Sequence, residues 1–120
     1  IAVGSQPWGM VVADLNRDNR SDIVVANRGS NTISIIRGFG NFTFATPVSI
    51  ATSTTPFNIG VGDFNNDTNN DIIVTNYGAT TVSVFRGYGN MTFLSLGTLA
   101  TGTSPNGIAV GDFNNDGRLD

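Results

Sequence analysis

The sequence predicts an all-β protein in which a four-stranded antiparallel sheet is repeated along the chain. Two observations lead to this prediction. First, a 49-residue repeat runs through the 120 residues. Second, each complete repeat contains four short apolar or β-branched segments separated by turns rich in Gly and Asn, and no segment has the periodicity of a helix.

The repeat is visible in residues of the same type that recur at a fixed interval. Three prolines are spaced 49 residues apart: Pro7, Pro56 and Pro105. Residues 1–49 align with residues 50–98 without a gap and with 20 identities, and residues 99–120 align with residues 50–71 with 13 identities. We therefore expect one repeat-array domain, with two complete repeats at 1–49 and 50–98 and a partial third at 99–120. We expect this domain to be a fragment of a longer protein.

The first segment of each repeat has large apolar residues on one side of a strand and small residues on the other. In repeat two, Ile59 and Val61 alternate with Gly60 and Gly62. The small residues predict that a neighbouring backbone packs close to that face. The predicted first strands span residues 9–13, 58–62 and 107–111.

The remaining segments of each complete repeat predict three further strands. The second strand is almost continuously apolar, as expected when both faces are buried, and the third is β-branched with alternating residues. Turns containing Gly and Asn separate the segments. The second strand is predicted at 23–26 and 72–75, the third at 32–36 and 81–85, and the fourth to include 42–44 and 91–93.

Four strands in 49 residues match one blade of a β-propeller, because propeller repeats are about 40–50 residues long. The sequence thus predicts an incomplete propeller of about two and a half blades. A repeated antiparallel sheet of another kind, such as a sandwich with duplicated halves, is the alternative. Since 120 residues are too few to close a propeller, further blades of the same chain or other copies of it would complete the ring.

All nine acidic residues are aspartates, and they lie in three loops that follow the first strand of each repeat. Each loop has the pattern D-x-N-x-D-x-x-x-D, and its positions are numbered one to nine from the first aspartate. Turn propensity explains Asp and Asn in loops. It does not explain three carboxylates in each loop and no acid elsewhere. Because like charges repel, a bound cation would relieve this crowding.

The residue types favour calcium as that cation. Hard oxygen ligands select Ca²⁺ or Mg²⁺, and the absence of His and Cys argues against zinc. Ca²⁺ takes about six to eight oxygen ligands, whereas Mg²⁺ retains several waters. The loop is not an EF-hand, because position twelve is Val25 or Val74 and strands are predicted on both sides.

The expected ligands are the side chains at positions one, three, five and nine and the carbonyl oxygen at position seven. The carboxylate at position nine can bind through both oxygens. In loop one these residues are Asp14, Asn16, Asp18, Arg20 and Asp22. In loop two they are Asp63, Asn65, Asp67, Asn69 and Asp71. In loop three they are Asp112, Asn114, Asp116, Arg118 and Asp120.

These residues resemble the FG-GAP (integrin-α) and VCBS repeat families, whose calcium loop is D-x-[DN]-x-D-G-x-x-D followed by a short apolar strand. Loop three matches this motif completely, with Gly117 at position six, and Pro105 and Ile108 resemble the family's lead-in. Loops one and two depart from it with Asn19 and Thr68. A β-branched Thr is disfavoured in the left-handed region, so we expect loop two to be distorted or weaker. The resemblance covers essentially the whole chain and implies a propeller with calcium loops on one rim.

Composition argues against several functions, and the first hypothesis is a non-catalytic, calcium-binding structural or adhesion module. The net charge of −3 argues against nucleic acid, and no apolar run approaches the length of a membrane span. His, Cys, Glu and Lys are absent, which argues against an enzyme. Extracellular calcium modules bind in roughly the 10⁻⁴–10⁻³ M range. We therefore expect a secreted or cell-surface protein whose propeller face binds a protein or glycan.

Two alternative functions remain open. One is a carbohydrate-binding, lectin-like propeller, and the other is a non-catalytic appendage of a secreted enzyme. Phe39 and Tyr88 recur at the same turn position and are the favoured aromatic platforms for a sugar, unless they pack between blades. The further aromatic candidates are Trp8, Phe57 and Tyr77.

Overall fold

The computed structural model describes residues 1–120 and contains eight β-strands and no helix. The strands form two four-stranded antiparallel sheets in sequential order. Sheet one consists of β1 (Pro7–Ala13), β2 (Asp22–Asn27), β3 (Thr32–Ile36) and β4 (Val48–Ala51). Sheet two consists of β5 (Pro56–Gly62), β6 (Asp71–Asn76), β7 (Thr81–Gly87) and β8 (Phe93–Ala100). The prediction of an all-β chain with one such sheet per repeat is confirmed.

The two sheets have the same register, so they are structural repeats as well as sequence repeats. Val12 pairs with Ile23 in sheet one, and Val61 pairs with Ile72 in sheet two. Both first strands are irregular between the proline and the third residue after it. A position in one repeat can therefore be compared directly with the position 49 residues later.

The apolar core lies between the two sheets. It comprises Leu15, Val24, Ile33, Ile35, Ile72, Val74 and Phe85, each at most 2% exposed. Strands β1 and β5 approach so closely that a Cβ on Gly9 would collide with the carbonyl oxygen of Phe57. On the small-residue face of β5, where a neighbouring backbone was predicted, a Cβ on Gly60 would instead meet the side chains of Ile108 and Val110.

The predicted fourth strand is wrong in its position. Residues 42–44 are not a strand, since β4 begins at Val48 and Phe44 forms only an isolated bridge with Gly38. Phe42 has a φ of 62° and is fully exposed, and Asn41 accepts a hydrogen bond from the Thr43 N–H. The turn is therefore longer than predicted, because the Asn41 side chain continues it. In sheet two the strand starts at Phe93, the last residue of the predicted segment.

The predicted first strand of repeat three, residues 107–111, does not form either. Its only backbone pairing is between Gly111 and Asp120, whose N–H groups and carbonyl oxygens exchange hydrogen bonds of 2.8 and 3.4 Å. A strand needs a ladder along its length, and this segment has one paired position. No helix that is long and apolar enough to cross a membrane is found in the chain.

Candidate metal loops

In the two complete repeats, the Asp-rich loop connects the first two strands. Loop one runs from Asp14, directly after β1, to Asp22, the first residue of β2. Loop two occupies the same place between β5 and β6. The strand ends therefore hold positions one and nine of each loop next to each other, as the pairs Ala13–Asp22 and Gly62–Asp71 record.

The carboxylate at position one is surrounded by backbone N–H groups of its own loop. The Asp14 Oδ2 accepts a hydrogen bond of 2.8 Å from the Asn19 N–H. The corresponding N–H groups of Thr68 and Gly117 donate to Asp63 and Asp112 at 2.7 and 2.8 Å. The three loops thus turn around their first aspartate in the same way.

The side-chain oxygens at positions one and three converge on one point. The Asp18 N–H lies 3.2 Å from both the Asp14 Oδ1 and the Asn16 Oδ1. In loop two the corresponding distances from the Asp67 nitrogen are 3.1 and 2.9 Å. In loop three the distances from the Asp116 nitrogen are 3.0 and 3.1 Å. Two oxygens therefore face one positively polarised hydrogen in every loop.

The carboxylate at position five is engaged on both oxygens. Its Oδ1 accepts from the position-seven N–H, at 3.0 Å from Arg20, 3.0 Å from Asn69 and 2.9 Å from Arg118. Its Oδ2 accepts from the side-chain amide at position three, at 3.0 Å between Asn16 and Asp18. The position-seven residue is therefore held inside the turn through its own N–H.

An arginine outside the loop also contacts position five in the two complete repeats. Arg37 Nη2 lies 3.0 Å from the Asp18 Oδ2, and Arg86 Nη2 lies 2.9 Å from the Asp67 Oδ2. The Arg37 hydrogen bond lowers the pKa of Asp18. The backbone N–H of Asn69, followed by Arg86, lowers the pKa of Asp67.

The carboxylate at position nine is buried. Asp22 is 0% exposed, and its two oxygens accept hydrogen bonds of 2.9 Å from the N–H groups of Leu15 and Gly38. Asp71 is 3% exposed and accepts from Phe64 at 3.2 Å and from Gly87 at 2.8 Å. A buried carboxylate needs such donors, so this residue joins the loop to the turn after the third strand. Its predicted metal ligation stays a prediction.

The expected distortion of loop two is not observed. Thr68 adopts a φ of 69°, close to the 59° of Asn19 and the 83° of Gly117. Loop two keeps the hydrogen bonds of loops one and three, because its donors and acceptors are the same. The left-handed backbone at a β-branched residue is strained, and the strain is present without a change in loop shape.

No three carboxylates are gathered around a common point in this arrangement. Position nine faces backbone N–H groups in the interior, and position five faces an arginine. The donor set still fits a hard divalent cation, because every side-chain donor is a carboxylate or amide oxygen and positions one and three already converge. The carbonyl oxygens of position seven belong to the same turn.

Comparison with known families gives one match. The model of the FG-GAP-like repeat family matches residues 14–74 and residues 63–120. The chain belongs to the FG-GAP-like repeat family. No curated protein and no solved structure matches the chain.

Both FG-GAP-like matches begin at position one of a loop, at Asp14 and at Asp63. The family model thus has its repeat boundary at the Asp-rich loops, and the second match covers loops two and three. The resemblance inferred from the loop motif and from its lead-in is confirmed.

The sequence pattern gave no role to the arginines that contact the position-five aspartates, although the 49-residue spacing could have identified them. Arg37 and Arg86 are the only pair among the six arginines that recurs 49 residues apart. No role was predicted for Gly38 and Gly87 either, whose N–H groups donate hydrogen bonds to the buried aspartates. A Cβ at either glycine would collide with a carbonyl oxygen of the loop, that of Ser21 or of Asn70.

The aromatic candidates fall into two groups at opposite ends of the sheets. Phe39 and Tyr88 lie near the loops, each with an arginine guanidinium 5.6 Å from its ring centre. At the other end, the rings of Trp8, Phe57 and Tyr77 form a row with centroid distances of 5.1 and 5.3 Å. Trp8 belongs to sheet one and the other two to sheet two, so this row crosses the boundary between the repeats.

Proposed function

We propose that this FG-GAP-like chain is a non-catalytic, calcium-binding structural module of an extracellular or cell-surface protein. The convergence of the position-one and position-three oxygens, repeated in three loops, carries this proposal. The hard-oxygen donor set and the restriction of all nine acids to these loops support it.

Calcium would neutralise the carboxylates at the junction of the first two strands and so strengthen the link between them. In loop one the residues that would hold it are Asp14, Asn16 and Asp18, the carbonyl of Arg20, and Asp22. The loop backbone already orients positions one, three and five through its own N–H groups. The buried position-nine aspartate fixes the loop to the rest of the sheet whether or not metal is present.

The complete assembly that we propose is a propeller in which further repeats pack on the free face of sheet one. Ile59 and Val61 of sheet two pack against the core with sheet one. Their counterparts Met10 and Val12 are 65% and 52% exposed. Because the same face is covered in the second repeat, a blade of the same kind is the partner that fits it in the first.

Carbohydrate binding is a second candidate, and the exposed aromatic row favours it. Trp8 is 60% exposed and Tyr77 is 40% exposed. A cavity of about 440 Å³ next to the row is lined by Arg28, Tyr77 and several hydroxyl side chains. Aromatic faces beside polar groups suit a sugar. An arginine lies over one ring in each group, with Arg28 5.8 Å from the Trp8 ring centre and Arg37 5.6 Å from the Phe39 ring centre, so the cavity beside Tyr77 is what favours the row.

Calorimetric titration with Ca²⁺ and with Mg²⁺ tests the proposed function. The variants Asp14→Asn and Asp63→Asn remove one negative charge from position one, and Thr103→Lys, at an exposed position beside Tyr77, is the matched control because it changes the net charge by the same amount. We expect heat of binding with Ca²⁺ that exceeds the heat with Mg²⁺, and loss of one binding event in each loop variant. Absence of Ca²⁺ binding at 10 mM, or binding unchanged in the loop variants, would refute the proposal.

The secondary function and the absence of catalysis are tested separately. A glycan array is run with the wild type and with Trp8→Ala. Binding by the wild type that is lost in Trp8→Ala would support sugar binding by the aromatic row, and no binding by the wild type would contradict it. Hydrolase activity of this chain on glycosidic or ester substrates would contradict the non-catalytic assignment, which rests on the lack of His, Cys, Glu and Lys.

A further inference from the structure

Two arginines outside the loops occupy the carboxylate at position five. Arg37 directly follows β3, and Arg86 lies near the end of β7. Arg37 Nη2 lies 3.0 Å from the Asp18 Oδ2. Arg86 donates to the Asp67 Oδ2 through Nη2 at 2.9 Å and through Nε at 3.3 Å. The third strand of each sheet therefore supplies a cation to the neighbouring loop.

Each arginine is also placed by an aromatic ring. The guanidinium carbon of Arg37 lies 5.6 Å from the centre of the Phe39 ring, and that of Arg86 lies 5.6 Å from the centre of the Tyr88 ring. A guanidinium over an aromatic face is favourable. The side chains of both arginines are 44% exposed, and those of both aspartates are 23% exposed. The same arrangement thus occurs twice, in positions open to solvent.

The arginine takes the second acceptor site on the Oδ2 of the position-five carboxylate. In loop one, the Asp18 Oδ1 accepts from the Arg20 N–H at 3.0 Å. The Oδ2 accepts from the Asn16 side chain at 3.0 Å and from Arg37 at 3.0 Å. The first donor is fixed in the turn, whereas the arginine is a half-exposed side chain that can rotate away. A divalent cation on the same oxygen would repel the guanidinium.

We propose that Arg37 and Arg86 determine the calcium affinity of loops one and two by competing with the metal for the position-five carboxylate. This inference rests on the proposed function. In the metal-free protein the arginine holds the loop in its turn, and it leaves the carboxylate when calcium binds. The calcium affinity of the loop is then lower because binding must first break the ion pair between the arginine and the aspartate. Exposed ion pairs of this kind correspond to about a 1.5- to 5-fold change in the dissociation constant per loop.

The first experiment follows the six arginine side chains by ¹⁵N NMR during calcium titration. Rotation of the guanidinium groups of Arg37 and Arg86 is expected to be slow without calcium and fast with it, with the same midpoint as the loop amides. Arg28 lies at the opposite end of sheet one and is the internal control. Slow rotation of Arg37 and Arg86 in the calcium-saturated protein would overturn the inference.

The second experiment compares Arg37→Gln and Arg86→Gln with Arg17→Gln. Arg17 lies within loop one and forms no ion pair, so its substitution removes one positive charge near the site without removing an ion pair. Loss of Arg37 or Arg86 is expected to tighten calcium binding 1.5- to 5-fold in its own loop and to lower the melting temperature in EGTA. An equal effect of Arg17→Gln on affinity would overturn the inference.

Failure of the inference and failure of the proposed function give different results. If calcium binds and the arginines stay restrained, only the competition is wrong. If no loop amide responds to calcium in the wild type or in any arginine variant, calcium binding itself is wrong, and the inference falls with it. The restrained arginines would still be seen in the metal-free protein in that case.

Discussion

Substitution of the buried position-nine aspartate separates its structural contribution from any contribution to metal binding. Asp22 accepts hydrogen bonds of 2.9 Å from the backbone N–H groups of Leu15 and Gly38 and is fully buried. In Asp22→Asn, one of these N–H groups faces an amide NH₂ in place of an oxygen and is left without an acceptor. The other hydrogen bond loses its charge.

The expected destabilisation follows from these two changes. A buried donor without a partner costs about 1–3 kcal/mol, and a hydrogen bond to a charged group is stronger than a neutral one by about 1 kcal/mol. We therefore expect Asp22→Asn to lower the free energy of unfolding by about 2–4 kcal/mol. Asp71→Asn is expected to behave in the same way, since Asp71 accepts from Phe64 and Gly87.

Urea denaturation at pH 7 in EGTA measures this effect without metal. Asp120→Asn is the matched control, because Asp120 is also at position nine but is exposed and accepts only one side-chain hydrogen bond, of 3.1 Å from Phe113. We expect it to change the stability by less than about 0.5 kcal/mol. If Asp22→Asn is no more destabilising than Asp120→Asn in EGTA, the buried carboxylate does not stabilise the metal-free fold, and the reasoning is wrong.

Three further predictions concern pH, backbone strain and the core. Asp18 and Asp67 have lowered pKa values, so their ion pairs stabilise the fold above an unfolded pKa of about 3.9. That stability is lost as the pH falls through the lowered pKa values of the folded state. Circular dichroism between pH 6 and pH 2 measures the loss, with Asp18→Asn as the control. Thr68→Asn should raise the stability by about 0.5–1 kcal/mol by relieving strain at φ 69°, with Asn19→Thr giving the opposite shift. Leu15→Ala should cost about 2–5 kcal/mol, whereas Phe113→Ala at the same loop position is 72% exposed and should cost under about 0.5 kcal/mol.

The sequence was sufficient to predict the first three strands of both complete repeats, since the predicted first strands, 9–13 and 58–62, lie within β1 and β5. The predicted second strands, 23–26 and 72–75, lie within β2 and β6, and the predicted third strands lie within β3 and β7. Residues buried on both faces carry a continuous apolar pattern, and this pattern is unambiguous in a repeat of known length. The fourth strand was misplaced because Asn41 and Asn90 extend the preceding turn through their side chains, which accept hydrogen bonds from Thr43 and Thr92.

The positions of the Asp-rich loops could be predicted from the sequence, but the contacts within and around them could not. The spacing of the aspartates identifies the loops, and position one indeed lies at the centre of each turn. Spacing does not reveal that position nine points inward, since Gly38 lies 16 residues away from Asp22 along the chain. It also does not reveal that Arg37 reaches Asp18, because that contact depends on the pairing of β2 with β3.

These contacts bear on what calcium can contribute. Backbone N–H groups hold all three loops, and a buried aspartate and an arginine also hold loops one and two. On the proposed function, calcium would add to these contacts. At 100 times its dissociation constant, a ligand that binds only the folded state adds about 2.7 kcal/mol per site. Because a domain of this size has about 5–15 kcal/mol of stability, two such sites would be a large share of its resistance to unfolding.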